Sequence, residues 1–356
     1  MPLKIGFLSA HDPFDRTAFS GTTYHAARAL SRVSDVELTV LGPHRKQPEM
    51  MRRVRRKFGW DALSPAAFDL SGQDANIALV ASGLIDQVQK PGLPPLYHVT
   101  DATPGFLAEF YGYDIGPDIF AREERVVQAA RRVIYSSAYM ADRAITDFGL
   151  SEDDVGVVPF GINFEDPPAD VPAKGPTTPL RLLYVGTKWE RKGGDIALAA
   201  FNALRAKGHS VELTLVGEPP KGPVPDGVKV AGYLNKNKAD DAARLEALFK
   251  QAHVFLLPTR ADCTPMVVGE ANVFGMPVLI TETGGIGSLI EQGTNGFMLP
   301  MTADGSDWAD AVLNLLPNLE ALGSASHAYA MANLTWDSWA ERVVDILRRD
   351  LQKAPS

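Results

Sequence analysis

Residues 253–296 read HVFLLPTRADCTPMVVGEANVFGMPVLITETGGIGSLIEQGTNG, and the patterns run strand, loop, helix, strand, loop, short helix. Val254–Leu257 is a short apolar run closed by Pro258, as expected of a strand buried on both faces. Residues 259–263 read as polar loop. Thr264 is expected to cap the next helix, with Pro265 at its first position, where the missing N–H costs nothing. That helix should end near Phe274, with Gly275 as the stop. Pro277–Thr281 reads as the next buried strand, and Gly284-Gly285 as a tight turn into another helix start.

Glu270 is the only charged side chain between Asp262 and Glu282, set among Val267, Val268, Ala271, Val273 and Phe274. A buried carboxylate needs hydrogen-bond partners, and a vicinal diol such as a ribose supplies two donors at once. The free N–H groups of the helix start and of the Gly284-Gly285 turn are expected to hold phosphate. Diol clamp plus phosphate cradle describes a nucleotide diphosphate site. The alternative is a solvent-facing glutamate that gains a little from the helix dipole.

The spacing Asp262-x7-Glu270, with Thr264-Pro265-Met266 inside it and Gly284-Gly285-Ile286 after it, resembles the donor-binding signature of the retaining GT-B glycosyltransferases of family 4 (glycosyl transferases group 1). The family's usual first acid is Glu; Asp262 is one methylene shorter. The resemblance implies two Rossmann-like, doubly wound parallel-sheet domains facing a cleft, an α/β architecture of GT-B type. It also implies that Thr264, Pro265, Met266, Glu270, Gly284 and Gly285 bind a nucleoside-diphosphate sugar, with Asp262 beside the donor sugar.

The chain's 356 residues suit two domains of ordinary size, and 45% hydrophobic with 22% charged residues is the composition of a globular protein. The amino-terminal apolar run is too short for a signal peptide, and no segment approaches the length of a membrane span. A cytoplasmic setting is expected. Cys263 is the only cysteine, which excludes an internal disulfide and cysteine-rich zinc sites. A net charge of −8 argues against general nucleic-acid binding.

Buried strands are expected at Leu3–Ser9, Val36–Leu41, Ala75–Ala81 and Leu96–Thr100, with a helix opening at Gly21. Ser20-Gly21-Thr22 reads as a plain helix start or as a phosphate approach; it also resembles the family's amino-terminal glycine loop, which brings Gly21 and Thr22 near the donor phosphates. From Arg45 to Lys57 stand seven basic residues against one acid, Glu49, with Met50, Met51, Val54 and Phe58 at helical spacing. Such a segment grips an anionic membrane surface or acceptor, or is a solvated helix packed on its own domain. Membrane contact would place the protein peripherally at the inner face. His98 and Asp101 lie at or just past the end of the Leu96–Thr100 strand, and Asp101 falls where family members often carry a His. A lone His in a strand is more often a satisfied structural residue.

Helices are expected at Ile119–Arg132 and from Ser137 to about Phe148, strands at Val133–Ser136 and Val157–Gly161; the last resembles the family's VPxG element. Ile162–Leu180 then holds five prolines and no periodic apolar pattern, the mark of a linker. The expected division is 1–165 as an acceptor-side domain, 166–180 as linker and 181–335 as the nucleotide-sugar domain. The helix within 336–356, in the family, crosses back onto the first domain.

After the linker, alternating strands and helices restart, implying parallel sheets with right-handed crossovers. Lys188, Arg191 and Lys192 sit on the strand-to-helix loop GTKWERKGG. Fixed cations there would stabilise the negative charge that builds on a departing phosphate. The loop resembles the family's basic pair, with Thr187 where the first Arg often stands. A solvated basic loop is the other reading. The seven histidines show no ligand spacing, so no metal and no cofactor is expected; the co-substrate is the nucleoside-diphosphate sugar. The resemblance implies sugar transfer with retention to an unnamed glycan, lipid or small-molecule acceptor. A sugar-nucleotide epimerase of similar architecture and a non-catalytic binding protein on a decayed transferase fold are the alternatives.

Overall fold

The computed structural model describes residues 1–9, 11–14, 18–41, 70, 72–79, 92–164, 166–236 and 238–353. The basic stretch Arg45–Lys57 lies outside them. In chain order the regular elements are β1 (Leu3–Ser9), α1 (Thr22–Leu30), β2 (Val36–Leu41), β3 (Ala75–Leu79), β4 (Leu96–Thr100), α2 (Pro104–Tyr111), α3 (Pro117–Ala129), β5 (Arg132–Tyr135), α4 (Ala138–Phe148) and β6 (Val155–Val157). There follow β7 (Leu180–Gly186), α5 (Gly194–Ala206), β8 (Val211–Gly217), β9 (Val228–Gly232), α6 (Ala239–Gln251), β10 (Val254–Leu257), α7 (Val267–Val273), β11 (Val278–Thr281), β12 (Gly296–Leu299), α8 (Gly305–Leu315), α9 (Leu319–Asn333) and α10 (Trp336–Gln352). They form two compact units. Unit 1 comprises Met1–Ser136, Met140–Val158 and Trp336–Ser356; unit 2 comprises Ser137–Tyr139 and Pro159–Thr335.

Unit 1 is built on a six-stranded parallel sheet in the order β2-β1-β3-β4-β5-β6. Every residue of β3 and β4 is buried, as in a parallel sheet covered on both faces, and the polar residues among them are Asn76, His98 and Thr100. The expected strand Val157–Gly161 is a correction: β6 occupies Val155–Val157 and stops before Pro159, which has no N–H to continue a ladder. Similarly, α3 starts at Pro117 and ends at Ala129, leaving Arg132 to open β5.

The last helix belongs to unit 1. On α10 the buried residues Trp336, Trp339, Ala340, Val343, Val344 and Leu347 recur at helical spacing, and this stripe packs against α1. Trp336 stacks on His25 with ring centroids 6.5 Å apart. At the far end, Arg132 of β5 forks onto Asp350, with Nε–Oδ2 and Nη2–Oδ1 both 2.7 Å, and donates Nη1–H to the Val155 carbonyl at 3.1 Å. One guanidinium thus ties β5, β6 and α10.

Unit 2 carries a second six-stranded parallel sheet in the order β12-β11-β10-β7-β8-β9. Strand order reverses between β7 and β10, and the loops leaving the carboxyl ends of these two strands border a crevice of the kind that binds ligands in such sheets. The proline-rich stretch has no regular structure, yet it is seated on unit 2. Phe164 packs edge-on against Phe249 and Phe274 at 5.9 and 5.3 Å, and Lys174 donates to the Phe249 carbonyl at 2.9 Å. Among the described residues no helix is long and apolar enough to cross a membrane.

Burial alone would push the Asp350 carboxyl up, but the hydrogen bonds and charge of Arg132 outweigh it and hold the carboxyl below its ordinary range. A carboxyl depressed by folding adds stability above its unfolded value, about 3.9, and that stability is lost as pH falls through the folded value. Asp350→Asn should therefore cost about 2–3 kcal/mol at neutral pH, and the gap from the native protein should close toward pH 3. Urea unfolding across that range checks it; parallel acid curves for the two proteins would remove the pair from the account.

Candidate active site

The loop after β7 folds back on itself before α5 begins. Lys192 N–H bonds the Lys188 carbonyl at 2.8 Å and Gly194 N–H the Trp189 carbonyl at 3.0 Å. Gly193 then enters α5 with φ +70°, where a Cβ would lie 1.8 Å from the Pro258 carbonyl oxygen. This contact presses the loop against residues 258–262, which leave β10. The Arg260 N–H meets the Arg191 carbonyl at 2.7 Å, and Arg191 Nη1–H donates to the Ala261 carbonyl at 2.7 Å.

The charged side chains meet at this corner. Lys192 Nζ forms an ion pair with Asp262 Oδ2, and Arg191 Nη1 stands 4.0 Å from the same oxygen. The Asp262 side chain is only 7% exposed, so the carboxylate is held under the two cations and fixes their position. Next to them Arg260 forks onto Asp195 at 2.7 and 2.9 Å, and that hydrogen bonding holds the Asp195 carboxyl below its usual range. Lys188 is exposed and pairs with no carboxylate among the described residues.

The next helix starts later than its sequence suggests. The Val268 N–H closes a tight turn on the Pro265 carbonyl at 3.0 Å, and the regular ladder opens with Glu270 N–H on the Met266 carbonyl at 3.1 Å. Thr264 therefore does not cap α7 and Pro265 is not its first residue; Met266 flanks it, already in helical conformation at φ −57°, ψ −24°. Gly275 ends the helix with φ +67°, as expected.

Glu270 is buried, with 3% of its side chain exposed, so the solvent-facing alternative fails. Its carboxylate oxygen Oε1 pairs with Nζ of Lys236, from the loop after β9, and this ammonium lies 5.4 Å from the Phe164 ring centroid. Lys236 was not legible as a site residue: its only local signal is a lysine in a polar loop.

Gly284 opens a short 3₁₀ turn with φ +54°. Gly285 N–H donates to the Asp262 carbonyl at 3.2 Å, and a Cβ there would lie 1.9 Å from the Cys263 carbonyl oxygen. Its N–H is thus engaged by protein, which corrects the expectation of a free phosphate donor. Cys263 is itself buried. Buried amides fix the outer half of the sheet: Asn272 Nδ2 donates to the Asn295 carbonyl at 2.8 Å and Asn295 Nδ2 to Asn272 Oδ1 at 2.9 Å.

Residues 179–318, which include this whole corner, match the family described as glycosyl transferases group 1. Over 98% of each chain the fold is similar to that of a sucrose-phosphate synthase from Thermosynechococcus elongatus, with TM-score 0.66 and 16% identity. Within residues 179–318 the chain is similar to the glycosyl transferases of group 1, and it has the GT-B fold.

Relatives matched by sequence cover only part of the chain. A D-inositol 3-phosphate glycosyltransferase of Paenarthrobacter aurescens (strain TC1) is 25% identical over 259 residues, 63% of this chain and 61% of that protein. The amylovoran biosynthesis glycosyltransferase AmsK of Erwinia amylovora is 30% identical over 138 residues, 34% of this chain and 32% of that one. The match thus spans less than two thirds of these relatives' length. An Anabaena protein, HepE, solved in complex with UDP superimposes with TM-score 0.64 at 16% identity, covering 98% of this chain and all of that one.

Of the expected site residues, Lys188, Arg191, Lys192, Asp262, Thr264, Pro265, Met266, Glu270, Gly284 and Gly285 all belong to unit 2, while Gly21, Thr22 and Asp101 belong to unit 1. Gly21 flanks α1 with φ +89°, and Thr22 is buried. Asp101 is half-buried just past β4. His98 is a core residue: Nε2 lies 3.0 Å from Glu123 Oε1 and Nδ1 lies 3.3 Å from the Ala78 carbonyl. Among the described residues no group of three or more His, Cys, Asp or Glu stands together as a metal site.

Gly193→Ala should lower stability by about 2–4 kcal/mol, because it adds left-handed strain and overpacks the Pro258 carbonyl. Chemical denaturation reads the loss; an unchanged midpoint would show that the two loops are free to part there.

Proposed function

We propose that the protein transfers a sugar from a nucleoside-diphosphate sugar to an acceptor hydroxyl, with retention at the anomeric carbon. The observation that carries this reading is the meeting of Arg191, Lys192 and Asp262 where the strand order reverses, within the segment that matches the family. Cleavage of the sugar–phosphate bond leaves negative charge on the departing diphosphate. Cations already fixed in place stabilise that charge without reorganising as it forms. Lys192 and Arg191 are given this role, with Lys188 as a further cation, and no divalent ion is invoked. Asp262 orients the cations.

Glu270 is the proposed partner of the donor ribose. Lys236 engages Oε1, and a carboxylate with two oxygens has acceptor capacity for a ribose hydroxyl as well. Retention is taken from the resemblance to the retaining family 4 enzymes. The acceptor is a glycan, lipid or small molecule, and its hydroxyl proton leaves with the nucleotide diphosphate.

Release of nucleotide diphosphate from a panel of donors, with and without candidate acceptors, tests the activity. Lys192→Ala should lower turnover by roughly 10²–10³-fold. Glu270→Ala should weaken nucleotide binding in calorimetry by about 1.5–3 kcal/mol. EDTA should leave the rate unchanged. Donor consumed equally well without acceptor would replace transfer by epimerisation, and unaltered nucleotide binding in a folded Glu270→Ala protein would remove the ribose clamp.

A further inference from the structure

A second pocket of unit 2 opens at the other edge of its sheet. It encloses about 670 Å³, a size suited to a small organic ligand. Its polar wall is formed by Lys174 and Thr177 of the proline-rich stretch, His253 just before β10, and Glu320 and Ser324 of α9. The Lys192–Asp262 corner lies at the carboxyl ends of β7 and β10, whereas this wall lies at their amino ends, roughly 15 Å away along the strands.

Two cations share this edge. Lys174 Nζ–H donates to the Phe249 carbonyl at 2.9 Å. Arg181, at the start of β7, donates Nε–H to the Gln251 carbonyl at 2.8 Å and Nη1–H to the Pro176 carbonyl at 3.3 Å. Its Nη2 lies 2.9 Å from His253 Nε2. The Arg181 backbone N–H donates to His253 Nδ1 at 3.0 Å, and Nε2 also lies 3.1 Å from the Gly175 carbonyl. Burial, then the neighbouring charges of Arg181 and Lys174, outweigh the Gly175 carbonyl and hold His253 below its ordinary value, so the ring is neutral. Among the described residues neither Lys174 nor Arg181 has a carboxylate within ion-pair distance. Glu320 supplies the one carboxylate of the wall, and it is exposed.

We propose that this pocket binds a small organic anion, carrying a carboxylate or phosphate group, through Lys174 with Arg181 behind it. Backbone carbonyls take some of the donors but do not balance the two positive charges, and an anionic oxygen would do so with charge-assisted hydrogen bonds. The Lys174 ammonium is consistent with this. Burial first, and Arg181 second, bring it down to about 7, so an anion beside it would be bound with uptake of a proton above neutrality. The charged and titratable groups concerned are Lys174, Arg181, His253 and Glu320. The proposal does not rest on the donor site.

Inorganic phosphate and citrate, titrated calorimetrically into the full chain at pH 8 in two buffers of different ionisation enthalpy, test it. Saturable binding with net proton uptake is expected, and uptake should vanish near pH 6. Lys174→Met should weaken binding about tenfold or more and abolish the uptake, while Lys174→Arg restores binding without uptake. Lys192→Ala should leave both unchanged. In the native protein, citrate should also slow acetylation of Lys174 by acetic anhydride, read by mass spectrometry, which needs no variant to fold. Absence of saturable binding at low ionic strength, binding retained in folded Lys174→Met, or binding lost instead in Lys192→Ala would each overturn the proposal.

Discussion

The Pro258 carbonyl oxygen lies 1.8 Å from where a Cβ of Gly193 would be, so the loops leaving β7 and β10 touch only through a residue with no side chain. Everything at the corner depends on that approach. It brings Arg191 within 2.7 Å of the Ala261 carbonyl and sets Asp262 beneath Lys192. The same economy of space recurs at Gly285, whose N–H reaches the Asp262 carbonyl because nothing projects toward Cys263. Three loops from three parallel strands are thereby locked at one edge of one sheet.

Charge then decides what each locked loop presents. Asp262 and Glu270 are nearly buried carboxylates, and each is tied to a lysine from a different loop, Lys192 and Lys236. Leaving either acid alone would be costly, since an isolated buried charge loses several kcal/mol of solvation. The two pairs are not equivalent. Asp262 lies under two cations and leaves the corner net positive, while Glu270 shares a single ammonium that also faces the Phe164 ring. In the proposed reading, one pair offers positive charge to the donor and the other offers acceptor oxygens.

Unit 1 is discontinuous in sequence. Its sheet is made before unit 2, yet the apolar face of α1 is covered only when α10 returns, with Trp339, Val343, Val344 and Leu347 fully buried. The Arg132–Asp350 fork joins residues 218 positions apart. Long-range closure of this kind delays completion of a unit until its last segment is available, because the loop entropy must be met before the contacts form.

The sequence alone determined the alternation of strands and helices, because a strand buried on both faces needs an unbroken apolar run and a surface helix needs a stripe. Lys192 and Glu270 stood out for a similar local reason, as charges in apolar or glycine-rich surroundings. Strand order was decided only in three dimensions: nothing local says that β10 lies beside β7 and not beside β9. From that order follow the partners. Lys236 meets Glu270 across 34 residues, His98 meets Glu123 across 25, and the N–H of Gly285 goes to Asp262 instead of to a ligand. The start of α7 also moved, because Pro265 offered its carbonyl to a tighter turn. Periodicity is set by near neighbours and can be read along a chain. The partner of a charge is whichever group the sheet order brings within hydrogen-bond reach, and that distance exists only after folding.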